Sequence, residues 1–335
     1  MGLSLMPEYD KRKIIKVGEG SLAITIPKKW CQELKIHPGD VVSLIYSKDT
    51  IIIKPLTRTE TGKEGAGLGI AVDVSKRVVD QLVEEITACY TEGVMKVRLI
   101  KGTAEKINEL INKLKRRLAG IVLLKPMQNV YEIVFMDVNV DLKSIIERLV
   151  SLITEILDII RADIEQETKL PKQSLKDIEE EVEKLYYLGL RIHRASLANI
   201  DVADIPSALD TLIVLRDLRD IANAFIRLEE ELKYILVRYK EEKSGIYRLF
   251  MVIRETSLGA ISSYMNHDID LALLILSKEA PIRSYIRELT KGKELTNIIN
   301  EINLIINNSL DIARTTISKC VRDIACRCRF YPKLE

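Results

Sequence analysis

The sequence predicts an α+β multidomain protein: a small strand-rich N-terminal unit, then a small α+β unit, then a long all-α region of six helices. Three observations carry this expectation. Residues 12–56 alternate short β-branched runs with turn residues, residues 70–138 mix helical and strand periodicities, and after Asp137 only long amphipathic helical patterns remain. The 335 residues are also long for one core, so two or three separately packed units are expected.

Composition bounds the class. Hydrophobic residues make up 47% and charged residues 30% of the chain, and mean hydropathy is close to zero, the balance of a folded, water-exposed protein. The longest apolar runs, LALLIL at 271–276 and IVLL at 121–124, fall far short of the roughly 18–20 residues a bilayer crossing needs. MGLSLMPEYDKRK places a short apolar start before charge, the reverse of a secretory signal, and five scattered cysteines do not suggest a disulfide framework. A cytoplasmic location is expected. Net charge is +2, but it is unevenly spread. Residues 1–60 hold ten Lys/Arg against seven Asp/Glu, 61–318 hold 36 against 40, and 319–335 hold five against two, so both ends are basic.

The elements follow in order. RKIIKV, SLAITIP, DVVSLIYS and TIIIKPL read as four strands, with turns at Gly18 to Gly20, at Pro38 and Gly39, and at Lys48 and Asp49. KKWCQELKI between the second and third is a short helix started by Pro27. A unit this small, spanning 8–56, can scarcely bury a core alone and should borrow one from a second copy. Residues 57–69, TRTETGKEGAGLG, have the composition of a linker. The α+β unit at 70–138 should hold a helix near 73–90, a strand at 94–100, a helix at 103–119 and strands at 121–126 and 130–136. Breaks near 169–171, 201–206, 243–245, 266–268 and 291–293 divide the helical region, 139–330, into six.

KVGEGSLAITIPKKWCQELKIHPGDVVSLIYSKDTIIIKPL resembles the swapped-hairpin domain of the AbrB and MazE families over its whole length. The shared features are the basic residue before the first glycine, the Gly-x-Gly-Ser turn, a strand ending in Ile-Pro, a short helix, Pro-Gly-Asp and a closing Lys-Pro. The resemblance implies a homodimer whose two chains interleave in one β-barrel and bind near-palindromic DNA. It implies DNA contacts from Lys11, Arg12, Lys13, Lys16, Ser21 and Thr25, with Lys28 and Lys29 on the phosphate backbone. Many MazE-like sequences carry Arg where this chain has Thr25, which shifts the expected affinity toward phosphates and DNA shape.

The rest of the chain resembles archaeal proteins that join such a domain to a phosphate-uptake-regulator (PhoU) domain. EEEVEKLYYLGLR at 179–191 and LRDIANAF at 218–225 carry the likeness, together with the order of a small α+β unit followed by six helices. The resemblance implies a link to phosphate uptake or signalling, with a transport or signalling protein as partner. PhoU domains often hold a cation between acidic pairs one helical turn apart. Glu179 and Glu183 keep one such pair, whereas Arg219 and Asn223, Arg283 after Glu279, and Arg314 after Leu310 depart from it. No cofactor is therefore expected, with Glu179 and Glu183 the only metal candidates; Arg216, Arg219, Arg283 and Arg314 offer instead a groove for an anion or acidic partner.

Other constellations point to no chemistry. Cys320, Cys326 and Cys328 lack a zinc spacing, and His37, His193 and His267 are dispersed. GEGSLA lacks the closing Lys-Ser/Thr of a phosphate loop, and EGAGLGIAV lacks a dinucleotide-site context. The expectation is a DNA-binding regulator and not an enzyme. Its rivals are an adaptor that docks a transporter or kinase without specific DNA binding, and an architectural protein that binds DNA with little sequence preference.

Overall fold

The computed structural model describes residues 10–18, 20–47, 50–55, 69–127, 130–165, 172–197, 204–238, 243–290 and 296–323. The chain is mixed α+β and forms two compact units, up to Gly65 and from Ala66 onward.

The first unit contains two antiparallel hairpins, β1 (Ile15–Val17) with β2 (Ser21–Ala23) and β3 (Val42–Ser47) with β4 (Thr50–Pro55), and one helix between them, α1 (Lys28–Glu33). Gly18, at φ +72°, turns the first hairpin. Pro38 and Gly39 occupy the centre of a turn closed by Asp40 N–H on the His37 carbonyl at 3.0 Å, and Gly39 supplies the positive φ, +93°, that a type II turn demands. The third predicted turn, at Lys48 and Asp49, lies outside the described residues. α1 ends three residues before the sequence pattern does. Lys35 adopts the left-handed conformation, φ +54°, so that Ile36 N–H reaches the Cys31 carbonyl at 2.7 Å and Lys35 N–H reaches Gln32 at 3.2 Å. This is a Schellman stop with lysine where glycine is usual.

The second unit opens with a strand the sequence pattern missed. β5 (Gly69–Asp73) lies parallel to β6 (Lys96–Ile100), which is followed antiparallel by β8 (Val130–Phe135) and β7 (Ile121–Met127) in the sheet order β5-β6-β8-β7. The predicted helix at 73–90 therefore starts later. Asp73 turns the chain by accepting hydrogen bonds from Ser75 N–H and hydroxyl, and α2 runs Val79–Thr91. Pro126, which cannot donate to a ladder, sits on the edge strand β7 beside a register shift. α2 and α3 (Ala104–Arg117) bury Leu82, Ile86, Tyr90, Ile107, Leu110 and Leu114 together with Val97, Leu99, Ile133 and Phe135 of the sheet.

Seven helical segments follow among the described residues: α4 (Leu142–Glu165), α5 (Lys172–Leu197), α6 (Ile205–Arg238), α7 (Lys243–Asn266), α8 (Ile269–Ser277), α9 (Glu279–Thr290) and α10 (Thr296–Arg322). The fifth predicted helix is divided at Lys278, because Pro281 has no N–H to give the Ser277 carbonyl. α4 buries Ile145, Leu149, Leu152, Ile156 and Ile160 at helical spacing. α6 and α10 are the most intimately packed pair, and one apolar core runs from Val72 of the sheet to Ala313 of α10.

Candidate nucleic-acid interface

Within the first unit, no side chain described is buried. Many of its large apolar residues stand open to solvent, from 51% exposed for Ile15 to 71% for Leu22, while Ile26, Trp30, Ile36, Val42 and Ile53 are half-buried. The β3–β4 register sets Leu44 opposite Ile53 and Val42 opposite Pro55, so Val42, Leu44, Ile51 and Ile53 share one face. Leu44 and Ile51 on that face are 66% and 68% exposed.

All eight residues expected to contact DNA are exposed, but they do not form one surface. Lys11, Arg12 and Lys13 lie in the segment before β1, and Arg12 is turned back onto Asp10 at 2.6 Å. Lys16 pairs with Leu22 across the hairpin, whereas Ser21 pairs with Val17, and adjacent pairs face opposite sides of a strand ribbon. Lys16 and Ser21 therefore point to different faces. Thr25 follows β2, and Lys28 and Lys29 open α1, where Lys29 lies 3.9 Å from Glu33. Lys11, Lys13, Lys16 and Lys28 have no carboxylate within 4 Å among the described residues.

A concavity of about 790 Å³ lies along α1 and the turn after it, floored by Ile26, Cys31, Ile36 and Pro38 and flanked by Lys28 and Lys35. Lys35 is a basic residue that the sequence reading passed over. It stands just past the end of α1, in the left-handed residue of the helix stop, so helical spacing alone does not place it.

In the second unit, the residues at the acidic-pair positions engage one another. Glu179 is exposed, and Glu183 accepts a hydrogen bond from Asn223 Nδ2 at 3.2 Å. Glu279 receives Arg283 Nε at 3.0 Å and Arg314 Nη2 at 3.4 Å. The group of three or more His, Cys, Asp or Glu ligands that would hold a cation is not found among the described residues. With an amide and guanidinium groups at these positions, the residues present do not fit a metal. The four arginines considered as an anion groove are each paired: Arg216 with Asp217, Arg219 with Asp220, Arg283 with Glu279, and Arg314 with Asp311 and Glu279. Only Arg283 and Arg314 are brought to one shared partner. Cys326 and Cys328 lie outside the described residues, and Cys320 is buried with its thiol on the His267 carbonyl at 3.3 Å.

No helix among the described residues is long and apolar enough to cross a membrane. Comparison with known curated proteins and with solved structures finds no match. Residues 15–61 match the family described as antidote-toxin recognition MazE, bacterial antitoxin, so the N-terminal segment of this chain carries a MazE/AbrB-type domain.

Proposed function

We propose that this protein is a homodimeric, DNA-binding transcription regulator. The first unit would form a swapped-hairpin barrel with its partner copy, and the helical part would act as a PhoU-like sensor or partner-docking unit tied to phosphate uptake or signalling. The observation that carries the reading is the open state of the first unit. Among its described residues no side chain is buried, which favours pairing with a second copy, and unpaired lysines accompany the open apolar faces. A two-fold pair doubles that basic surface, and doubling it suits a near-palindromic duplex. Lys11, Lys13, Lys16 and Lys28 would neutralise phosphates. Ser21, on the opposite hairpin face from Lys16, would serve orientation or the barrel rather than the same contact. The reading includes a cytoplasmic location and no catalysis.

The test is binding of the full-length protein to DNA from its own upstream region and to random duplex over a salt series. Each lost phosphate contact should lower the slope of log affinity against log salt by about 0.9. Lys13→Ala combined with Lys16→Ala should thus weaken binding and lower that slope by roughly 2 per subunit. Unchanged binding in the double variant removes the proposed surface. Equal affinity for both DNAs moves the reading to an architectural protein, and no retention at low salt moves it to a PhoU-like adaptor that acts through proteins.

The family description favours a second reading, in which the first unit belongs to an antitoxin and the rest of the chain recognises a protein toxin. Expression of the chain should then relieve growth arrest caused by a co-encoded partner, and the absence of any such rescue sets that reading aside.

A further inference from the structure

A cavity of about 340 Å³ opens in the second unit between the start of α4, α6, the end of α7 and α10. Its size is in the range of small-molecule sites, about 300–1,000 Å³. Lys319 of α10 lines it, half-buried, with its ammonium 4.4 Å from the centre of the Tyr264 ring. Tyr264 is itself only 6% exposed and has Thr211 at its hydroxyl, so the ring that holds the ammonium is fixed. Lys143 and His267 also line the cavity, and Leu142, Ile146 and Met265 supply apolar wall.

The carboxylates of the flanking segments already have partners, two of them on the cavity wall. Asp323 faces His267 Nδ1 at 3.1 Å, Glu147 lies 3.7 Å from Lys143, and Asp141 caps α4 by accepting from Ser144 N–H at 2.6 Å. Lys319 has no carboxylate within 4 Å among the described residues. Asp323 acts on the Lys319 ammonium from beyond ion-pair distance and is itself shared with His267, so the half-buried charge is only partly compensated, and an anion entering the cavity reduces that cost.

We propose that this cavity is a binding site for a small organic anion, whose acidic group pairs with Lys319 and Lys143 and whose apolar body rests on Leu142, Ile146 and Met265. Desolvation lowers the pKa of the Lys319 amine from its ordinary value, which also makes it a better nucleophile toward a carbonyl-bearing ligand than a surface lysine.

Pyridoxal 5′-phosphate tests the site, since it carries a phosphate for the cations, a flat ring for the wall and an aldehyde for the amine. Lys319 Nζ adds to the aldehyde carbon and the carbonyl oxygen leaves as water. Borohydride then reduces the resulting C=N bond to a stable secondary amine, and peptide mapping locates it on the full-length protein. With limiting probe, the expected result is a dominant Lys319 adduct that is lost in Lys319→Met and reduced in Lys143→Met. Excess inorganic phosphate or benzoate should protect it, the first marking phosphate-bearing ligands and the second carboxylates. Labelling that follows surface exposure and leaves Lys319 unmodified overturns the proposal, as does a Lys319 adduct that neither anion suppresses. Should Lys319→Met not fold, the exposed Lys143→Met variant and the protection experiment still decide. DNA is absent from the readout, so failure here leaves the proposed DNA binding as it stands.

Discussion

Asp217 shows how a single carboxylate on α6 tunes the molecule. Its side chain has no solvent exposure, and its Oδ1 meets Arg216 Nη2 at 2.8 Å, while its Oδ2 has no hydrogen-bond partner among the described residues. Burial raises its pKa from 3.8 to about 6, Arg216 opposes that shift, and Asp311 and Asp220 add to it. The folded state thus holds a proton that the unfolded chain has released between about pH 4 and 6, so Asp217 contributes stability below that window and loses it as pH rises through about 6. Asp217→Asn, neutral throughout, should be more stable than the parent near neutral pH by up to roughly 3 kcal/mol. The gain should vanish near pH 4. Urea unfolding at both pH values checks this, and a difference that does not change with pH sinks it. Arg191 is the complementary case, a buried cation held without a carboxylate among the described residues. It donates to the carbonyls of Tyr90 at 2.6 Å and Val94 at 3.0 Å from α5, and packs on the rings of Tyr90 and Phe135. Removing it strips partners from the end of α2 and opens space beneath it, so Arg191→Ala should cost about 3 kcal/mol of stability by thermal or denaturant unfolding.

Among elements, helix ends show where sequence reading succeeds and where it stops. α1 halts at Lys35 in a left-handed conformation that an L side chain resists, at a cost of roughly 1–2 kcal/mol. Lys35→Gly should therefore raise the midpoint of thermal unfolding of the first unit, and an unchanged or lower midpoint would show that Lys35 is held there by something that compensates. Pro27 before α1 and the Pro38-Gly39 turn were legible because proline and glycine restrict φ by themselves. Strand β5 was not. GIAVD is short and follows a glycine-rich run, and what makes it a strand is parallel pairing with β6, more than twenty residues away. The division of α8 from α9 was readable in principle from Pro281, but the apolar periodicity across it masked the break. At the candidate DNA surface, the basic residues could be named from sequence, whereas their distribution over two hairpin faces depended on a register that only pairing sets. The cavity around Lys319 had no local signature, because its walls come from four helices.

At the scale of the whole molecule, the two units meet the same physical demand in different ways. The second has enough chain to close its own core, continuous from Val72 to Ala313, whereas no described side chain of the first is buried. Leu44 and Ile51, more than half exposed on one face of the β3–β4 hairpin, are where a second copy would gain most. Burying a side chain of this size contributes about 1.5–3 kcal/mol, and in a symmetric pair each residue is counted twice. Leu44→Glu together with Ile51→Lys should therefore convert a dimer to a monomer in sedimentation, even though the two new charges neutralise each other within the chain and the second unit remains folded. DNA affinity should fall with the mass, since half of the basic surface leaves with the partner. Were the double variant to sediment as a dimer, the pairing surface would have to lie on the second unit, and the first unit's open faces would need another cover. Were it to sediment as a monomer yet bind the upstream DNA as tightly as the parent, one copy of the basic segment would suffice for recognition, and the two-fold operator would no longer be required.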